Sequence, residues 1–397
     1  MDWGCCSIRF HFSDTIVETR QFRSLYVPTK SSIGKPMFCL PSQFSTRAVS
    51  SPSPNNTNLS KLVSAETFID TSDTPTKKTS SKASPNMQQP TILITGASGQ
   101  YGSKLIKSLV EKGVSPSALI LLTRDPSKLA HHSQSGSTVR KGSFDDALED
   151  LTATFCGAEI VFMISTSRAG ARLPQHQNAI NAAKAAGARQ IVYTSFVQGS
   201  DLPTPTALVA QEHRATEEML RASGLAWTAL RDSMYIQAMT DVVIPGALQT
   251  GVLQSNAGDG KVAFVSRDDC VEAAAAVLRN PSAHENVAYN ITGPELLTWA
   301  EVGAIASRLS GKAIEWRELT EEENFEMFDA MGIPRHPAGD EFEKTGVKGI
   351  TWNSTDMVSF GKAIRLGELE VISGDFEKLT GRRPRSIEDV LSDSLRV

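Results

Sequence analysis

No apolar run in the 397-residue sequence approaches the roughly 18–20 residues that a helix needs to cross a bilayer. Cysteine is scarce. Cys5, Cys6, Cys39, Cys156 and Cys270 show no paired spacing that suggests a disulfide framework or a zinc site, and no metal site is expected. Net charge is only −4, so no global field points to nucleic acid or an anionic membrane as a partner. Internal repeats are absent as well. What remains is a soluble protein of a reducing compartment, expected in the cytoplasm. The composition, 40% hydrophobic and 21% charged, suits a packed core of one large domain or two ordinary ones. Cys156 and Cys270 sit in apolar helical stretches and are expected to be small buried hydrophobes.

Residues 1–88 differ from everything after them. Ser42 to Pro85 is dominated by Ser, Thr, Pro and Asn, and such a stretch cannot bury enough surface to offset its ordering entropy. Disorder is expected there. Arg9, Arg20 and Arg23, spread among serines and aromatics, keep a mitochondrial presequence open, but Asp14 and Glu18 interrupt the basic face. A misassigned start is the plainer alternative, since Met87 lies four residues before the first strand.

From Thr91 onward, strand-like runs alternate with amphipathic helices. The strands are Thr91–Thr95, Leu119–Thr123, Ile160–Ile164, Ile191–Ser195 and Trp227–Leu230. The helices include one through Leu105, Ile106, Leu109 and Val110 closing at Gly113, then Gln175–Ala186 and Ala207–Ala222. This alternation predicts an α/β fold with a doubly wound parallel sheet over residues 89–245. Past Gly246 the rhythm loosens. Short pieces at Val262–Val265, Val287–Ile291 and Ile314–Arg317, with helices at Val271–Leu278 and Trp299–Leu309, predict a smaller C-terminal α/β lobe over 246–397. Some of its strands are expected to return to the main sheet.

The segment Gly96-Ala97-Ser98-Gly99-Gln100-Tyr101-Gly102 follows the first strand and opens a helix. Gly96 permits the turn, Gly99 lets backbone approach a diphosphate, and Gly102 lets the helix pack closely, which is the Rossmann dinucleotide fingerprint in its proper context. The free amides of the helix then face the phosphates. At the tip of the second strand stand Arg124 and, just beyond, Lys128. A guanidinium matches a 2′-phosphate, so NADP(H) is expected over NAD(H), although Asp125 leaves a ribose contact open. Ser143 and Phe144, after the third strand, are expected near the adenine; Ser165, Thr166 and Ser167, after the fourth, near the nicotinamide ribose.

These residues carry a resemblance to the NmrA-like, atypical short-chain dehydrogenase/reductase family. Besides Thr95–Gly102, it runs through Pro174–Gly187, Val192–Ser195, Glu212–Glu217, Leu230–Tyr235, Asn256–Val262 and Arg267–Asp269. The order is most similar to the branch of NADPH:quinone oxidoreductases and triphenylmethane reductases. The resemblance implies an NADPH-dependent reductase of quinone-like or conjugated aromatic small molecules, with a cleft between the main domain and the small lobe and a homodimer left open. It also implies that His213 replaces the lysine of the usual Tyr-x-x-x-Lys pair, that Val209 stands where the tyrosine would be, and that Tyr235 and Gln237 contact cofactor or substrate. Members of the family often carry Asn where Asp232 stands.

His213 is therefore the candidate catalytic residue, orienting the nicotinamide ribose or supplying a proton. A helix-surface histidine beside Glu217 is the competing expectation. His131 and His132 are expected in a solvated loop, Glu321–Glu323 at a helix start, and Trp299 and Trp316 in the small lobe's core. Two functions remain: a quinone or aromatic reductase serving detoxification or secondary metabolism, and a non-catalytic NADP(H) sensor acting through a protein partner. The missing tyrosine favours the sensor and the branch resemblance favours the reductase.

Overall fold

A computed structural model describes residues 89–197, 204–336, 341 and 352–395. The expected extension, residues 1–88, lies outside them. The main sheet is built from β1 (Ile92–Ile94), β2 (Leu119–Thr123), β3 (Thr138–Lys141), β4 (Ile160–Met163), β5 (Gln190–Phe196) and β6 (Ala226–Asp232), with β9 (Val287–Ile291) added from far along the chain. All pairings are parallel, in the order β3-β2-β1-β4-β5-β6-β9. The order reverses at β1, and in such sheets ligands bind in the crevice beyond the strand ends at that point.

Burial on both faces explains the continuous apolar strands. Ile92 and Ile94 of β1 face the layer formed by α1 (Gln100–Glu111), α8 (Arg267–Arg279) and α12 (Asp375–Thr380), while Leu93 faces α3 (Leu148–Phe155), α4 (Arg172–Ala185) and α5 (Leu208–Ala222). Phe376 of α12 is completely buried in the first of these layers. Residues past 246 therefore do two jobs. Part of them, α8, β9 and α12, completes the main layer.

The remainder, together with the chain from Ile236 onward, forms a core of its own. It contains the helical stretch α6 (Ile236–Ala238) and α7 (Ile244–Thr250) joined by a π-turn, then α9 (Trp299–Ser310), α10 (Glu321–Ala330), α11 (Ser354–Arg365) and α13 (Ile387–Leu395). Two small sheets accompany them: β7 (Val252–Ser255) with β11 (Glu315–Glu318), and β8 (Lys261–Val262) with β10 (Leu297–Thr298). Trp299 is buried in this core and Trp316 packs against it, as expected. Thr298 and Thr320 form capping boxes with Glu301 and Glu323, so the acidic Glu321–Glu323 run does open a helix.

Several local expectations need correction. Cys156 is exposed, because α3 ends at Phe155 and the chain turns outward at Gly157 (φ +81°); Cys270 is buried as expected. Val110 is 39% exposed, one position beyond the stripe that α1 buries. His131 and His132 lie in a short helix, α2 (Ala130–Gln134), and His132 is half-buried. Of Val262–Val265 only Val262 pairs in a strand, Val265 making a lone bridge to Tyr235. Among the described residues no helix is long and apolar enough to cross a membrane.

Candidate dinucleotide-binding and active site

The turn after β1 is fixed by short-range demands. Gly96 has φ +58°, a conformation that side chains other than glycine's rarely adopt. The Ala97 N–H donates to the Leu122 carbonyl (3.1 Å) and the Gly99 N–H to Gly96 (2.9 Å), drawing the loop over β2. The Ser98 and Thr123 hydroxyls, 2.8 Å apart, tie the loop to the end of that strand. A Cβ at Gly102 would stand 2.5 Å from the Gly96 carbonyl oxygen and 2.8 Å from the Ala97 Cα, so the helix sits as close as a glycine allows. The α1 N-cap, Gly99, makes no side-chain cap, leaving the first-turn amides to an anion.

Gln100 and Tyr101 differ in what they offer. The Tyr101 ring stacks on Phe162 (5.9 Å) and its hydroxyl donates to the Cys270 carbonyl (2.9 Å), so that side chain belongs to the core and only its amide faces the loop. Gln100 keeps its side chain at the surface, where its Oε1 accepts from the Arg267 guanidinium.

At the tip of β2, Arg124 is exposed and, among the described residues, has no hydrogen-bond or ion-pair partner. Asp125 is occupied: its Oδ1 accepts from the Ser127 amide (3.1 Å) and hydroxyl (2.6 Å), capping the turn that carries Lys128. Those bonds, led by the Ser127 hydroxyl, hold its carboxyl below the usual range. Lys141, exposed at the end of β3 and in register with Thr123, adds a cation that sequence reasoning missed. Its signal is faint, one lysine at the end of a charged edge strand.

The adenine-side residues are built into turns. The Ser143 hydroxyl donates to Asp145 and its amide to Asp146 (2.7 Å). Phe144 is 8% exposed, its ring 6.4 Å from His176, so it forms the floor behind the loop. On the nicotinamide side, the Ser165 amide donates to the Thr194 hydroxyl (2.9 Å) and the Thr166 amide to His176 Nε2 (3.1 Å). His176 must then carry its proton on Nδ1, 2.9 Å from Thr216. Burial, and secondarily Arg172, pushes His176 down to about 3, so it is neutral. Arg172, itself buried, donates to the Thr166 carbonyl (2.8 Å) and pairs with Glu212. Ser167 belongs to the same loop. Arg172, Gln175 and His176 share the face that Ala179 and Ala183 bury, and polar residues on an otherwise apolar helix face were the available clue.

His213 is neither a surface residue nor a partner of Glu217. It is 5% exposed, and its Nδ1 lies 2.7 Å from the hydroxyl of the fully buried Tyr193. Burial, then the charge of Arg172, holds it well below the ordinary histidine range, so it is an uncharged imidazole at neutral pH. Glu217 is taken by Ser195, Arg221 and Arg231. Gln237 uses its Oε1 to accept the Arg267 amide at the start of α8 (2.8 Å).

The uncapped first-turn amides, the close glycine packing and the exposed Arg124 fit a dinucleotide, and similarity to known proteins agrees. A family model described as NAD(P)H-binding matches residues 96–281. Quinone oxidoreductase 2 of Escherichia coli is 37% identical over 243 residues, covering 61% of this chain and 82% of that one. The chain belongs to the NmrA-like family of NAD(P)H-binding oxidoreductases. The crystal structure of the Escherichia coli NADPH-dependent quinone oxidoreductase with NADPH superposes with a TM-score of 0.67 at 33% identity, covering 76% of this chain and 99% of that one. The Citrobacter triphenylmethane reductase with NADP(H) gives 0.65 at 27%, covering 77% and 99%.

In this NmrA-like oxidoreductase Asp232 stands apart electrostatically. It is buried at the end of β6, Tyr235 donates to its Oδ2 (2.7 Å), and Oδ1 is buried without a partner. Burial pushes its carboxyl up to about 7, against the hydrogen bond from Tyr235. The folded protein therefore holds a proton that the unfolded chain releases, and stability falls as pH climbs from the unfolded value to about 7. Asp232→Asn is expected to remove that loss. Thermal unfolding should show the variant gaining on the parent between pH 4 and pH 8, by about 4 kcal/mol at most. Parallel pH profiles for the two proteins would refute this.

Proposed function

We propose that this oxidoreductase transfers a hydride from NADPH to a quinone or a related conjugated aromatic. The observation that carries the choice of acceptor is the absence of an acid at the usual tyrosine position on α5: Val209 has no acidic group, and the buried His213 is neutral. Hydride addition to a quinone leaves a stabilised phenolate-like anion that needs no enzymic acid in the same step. A simple ketone leaves an alkoxide that does. The names of the Escherichia coli quinone oxidoreductase and the triphenylmethane reductase support the same class.

When bound, the cofactor supplies the hydride. The protein's own groups bind and orient. Amides of the first turn of α1 meet the diphosphate, and Arg124, with Lys128 and Lys141, meets the 2′-phosphate. With the Asp125 carboxylate committed to Ser127, the acid that would favour an unphosphorylated ribose is withdrawn. The Ser165–Ser167 loop, braced by Thr194 and His176, borders the nicotinamide ribose. His213 positions Tyr193 behind it. Phe196 at the end of β5 and Phe360 of α11, 5.5 Å apart, place an apolar contact where the lobe meets the sheet.

Stopped-flow mixing with NADPH and a panel of acceptors tests this. Nicotinamide absorbance should fall with quinones and stay constant with unactivated ketones. Tight NADPH binding with no oxidation by any quinone would overturn the enzyme and leave the sensor.

A further inference from the structure

The phosphate-binding groups assigned so far come from the first half of the chain, but one cation reaches the glycine loop from far beyond it. Arg267 is the first residue of α8, and α8 packs along α1. Its guanidinium donates to the side chain of Gln100, the first residue of α1, and lies 5.3 Å over the Tyr235 ring. Its backbone amide is fixed by Gln237 (2.8 Å). The adjacent acid is spent elsewhere, because Asp268 pairs with Lys104 of α1. Among the described residues no carboxylate forms an ion pair with Arg267. The side chain is half-buried, so its charge is partly withdrawn from water without a counter-ion.

A guanidinium with no carboxylate partner among the described residues, tied to the first residue of a helix whose opening turn has no side-chain cap, is an incomplete electrostatic arrangement, and a dianionic diphosphate completes it. We infer that Arg267 is the side-chain cation of the diphosphate subsite, held at the loop by Gln100 and braced from behind by the Tyr235 ring. The assignment gives roles to residues that the adenosine end does not use: Tyr235 as a cation–π platform, Gln237 as an anchor of the α8 start, and Gln100 as a tether. It also separates two phosphate functions by place. Arg124 meets the 2′-phosphate at the tip of β2, and Arg267 meets the bridge between the nucleotides. The inference rests on the NAD(P)H site and not on the identity of the acceptor.

Titration calorimetry with NADPH, NADH and 2′-AMP separates these roles. Arg267→Ala should weaken NADPH and NADH alike, by roughly ten- to hundredfold for a lost charged hydrogen bond, and leave 2′-AMP unchanged. Arg267→Lys, which keeps the charge and is the less disruptive change, should recover part of the loss. Arg124→Ala should do the reverse, weakening NADPH and 2′-AMP and sparing NADH. If Arg267→Ala, with an unchanged melting temperature, binds NADH as the parent does, the assignment fails. It fails equally if 2′-AMP weakens in step with NADPH, for then the arginine serves the adenosine end. Absence of quinone turnover, with this binding pattern intact, would touch the proposed reaction alone.

Discussion

Gly102→Ala is expected to weaken NADPH binding by at least about a hundredfold. The added methyl would meet backbone, not flexible side chain: the Gly96 carbonyl oxygen at 2.5 Å and the Ala97 Cα at 2.8 Å. Neither can retreat freely, since Ala97 is hydrogen-bonded to Leu122 and Ser98 to Thr123. Helix α1 must move off the loop instead, and its amides move with it. Displacements near 1 Å at a preorganised site cost about a hundredfold, so fluorescence titration should show at least that loss. Gly113→Ala is the contrast. That glycine has φ +90° with open space around it, so alanine there should lower stability by about 1 kcal/mol and leave NADPH affinity alone. Near-parental affinity in Gly102→Ala would mean that the close packing does not set the position of the amides.

Glu217→Ala is expected to be the most destabilising single change beneath the site. Glu217 is completely buried and accepts from Ser195 (2.6 Å), Arg221 (2.9 Å) and both Nε and Nη2 of Arg231 (3.0 Å each). Burial acts to raise its carboxyl, but the bonds and charge of Arg231 prevail and hold it below the ordinary range. Removing it takes the carboxylate away from a buried guanidinium between β6 and α5, which costs about 3–5 kcal/mol. Chemical denaturation should show that loss near neutral pH. Because the carboxyl is depressed in the folded state, its contribution is present above the unfolded value and is lost as pH falls through the folded one. The gap between parent and variant should accordingly narrow in acid. A constant gap would place the damage in packing and not in the ion pair.

The alternating pattern made the middle of the sheet legible because both faces are buried there, so β1, β2 and β4 read as continuous apolar runs, whereas the charged edge strand β3 does not. Val287–Ile291 was placed to the residue. The glycine loop was legible for a different reason: its spacing follows from backbone contacts that no other residue permits. The site's inner half was not. His213 shares a helix with a glutamate one turn on, and sequence spacing suggests a surface pair. Burial sends the two residues to different partners, Tyr193 and Arg231. Arg267 was likewise hidden, since nothing local to it marks a phosphate, and its meaning comes from α8 lying against α1. Asp125 looked like a rival to Arg124 until its bond to Ser127 removed it from the contest.

The interlacing of the two cores bears on how the chain is made. β9, α8 and α12 arrive after segments that belong to the smaller lobe, and the hydroxyl of Tyr101 waits for a carbonyl 169 positions downstream. A nascent polypeptide emerging from the ribosome therefore cannot close its nucleotide-binding half early. That half stays open, with apolar strand faces uncovered, until nearly the whole length has been synthesised, and such long-range closure favours slow maturation under chaperone protection.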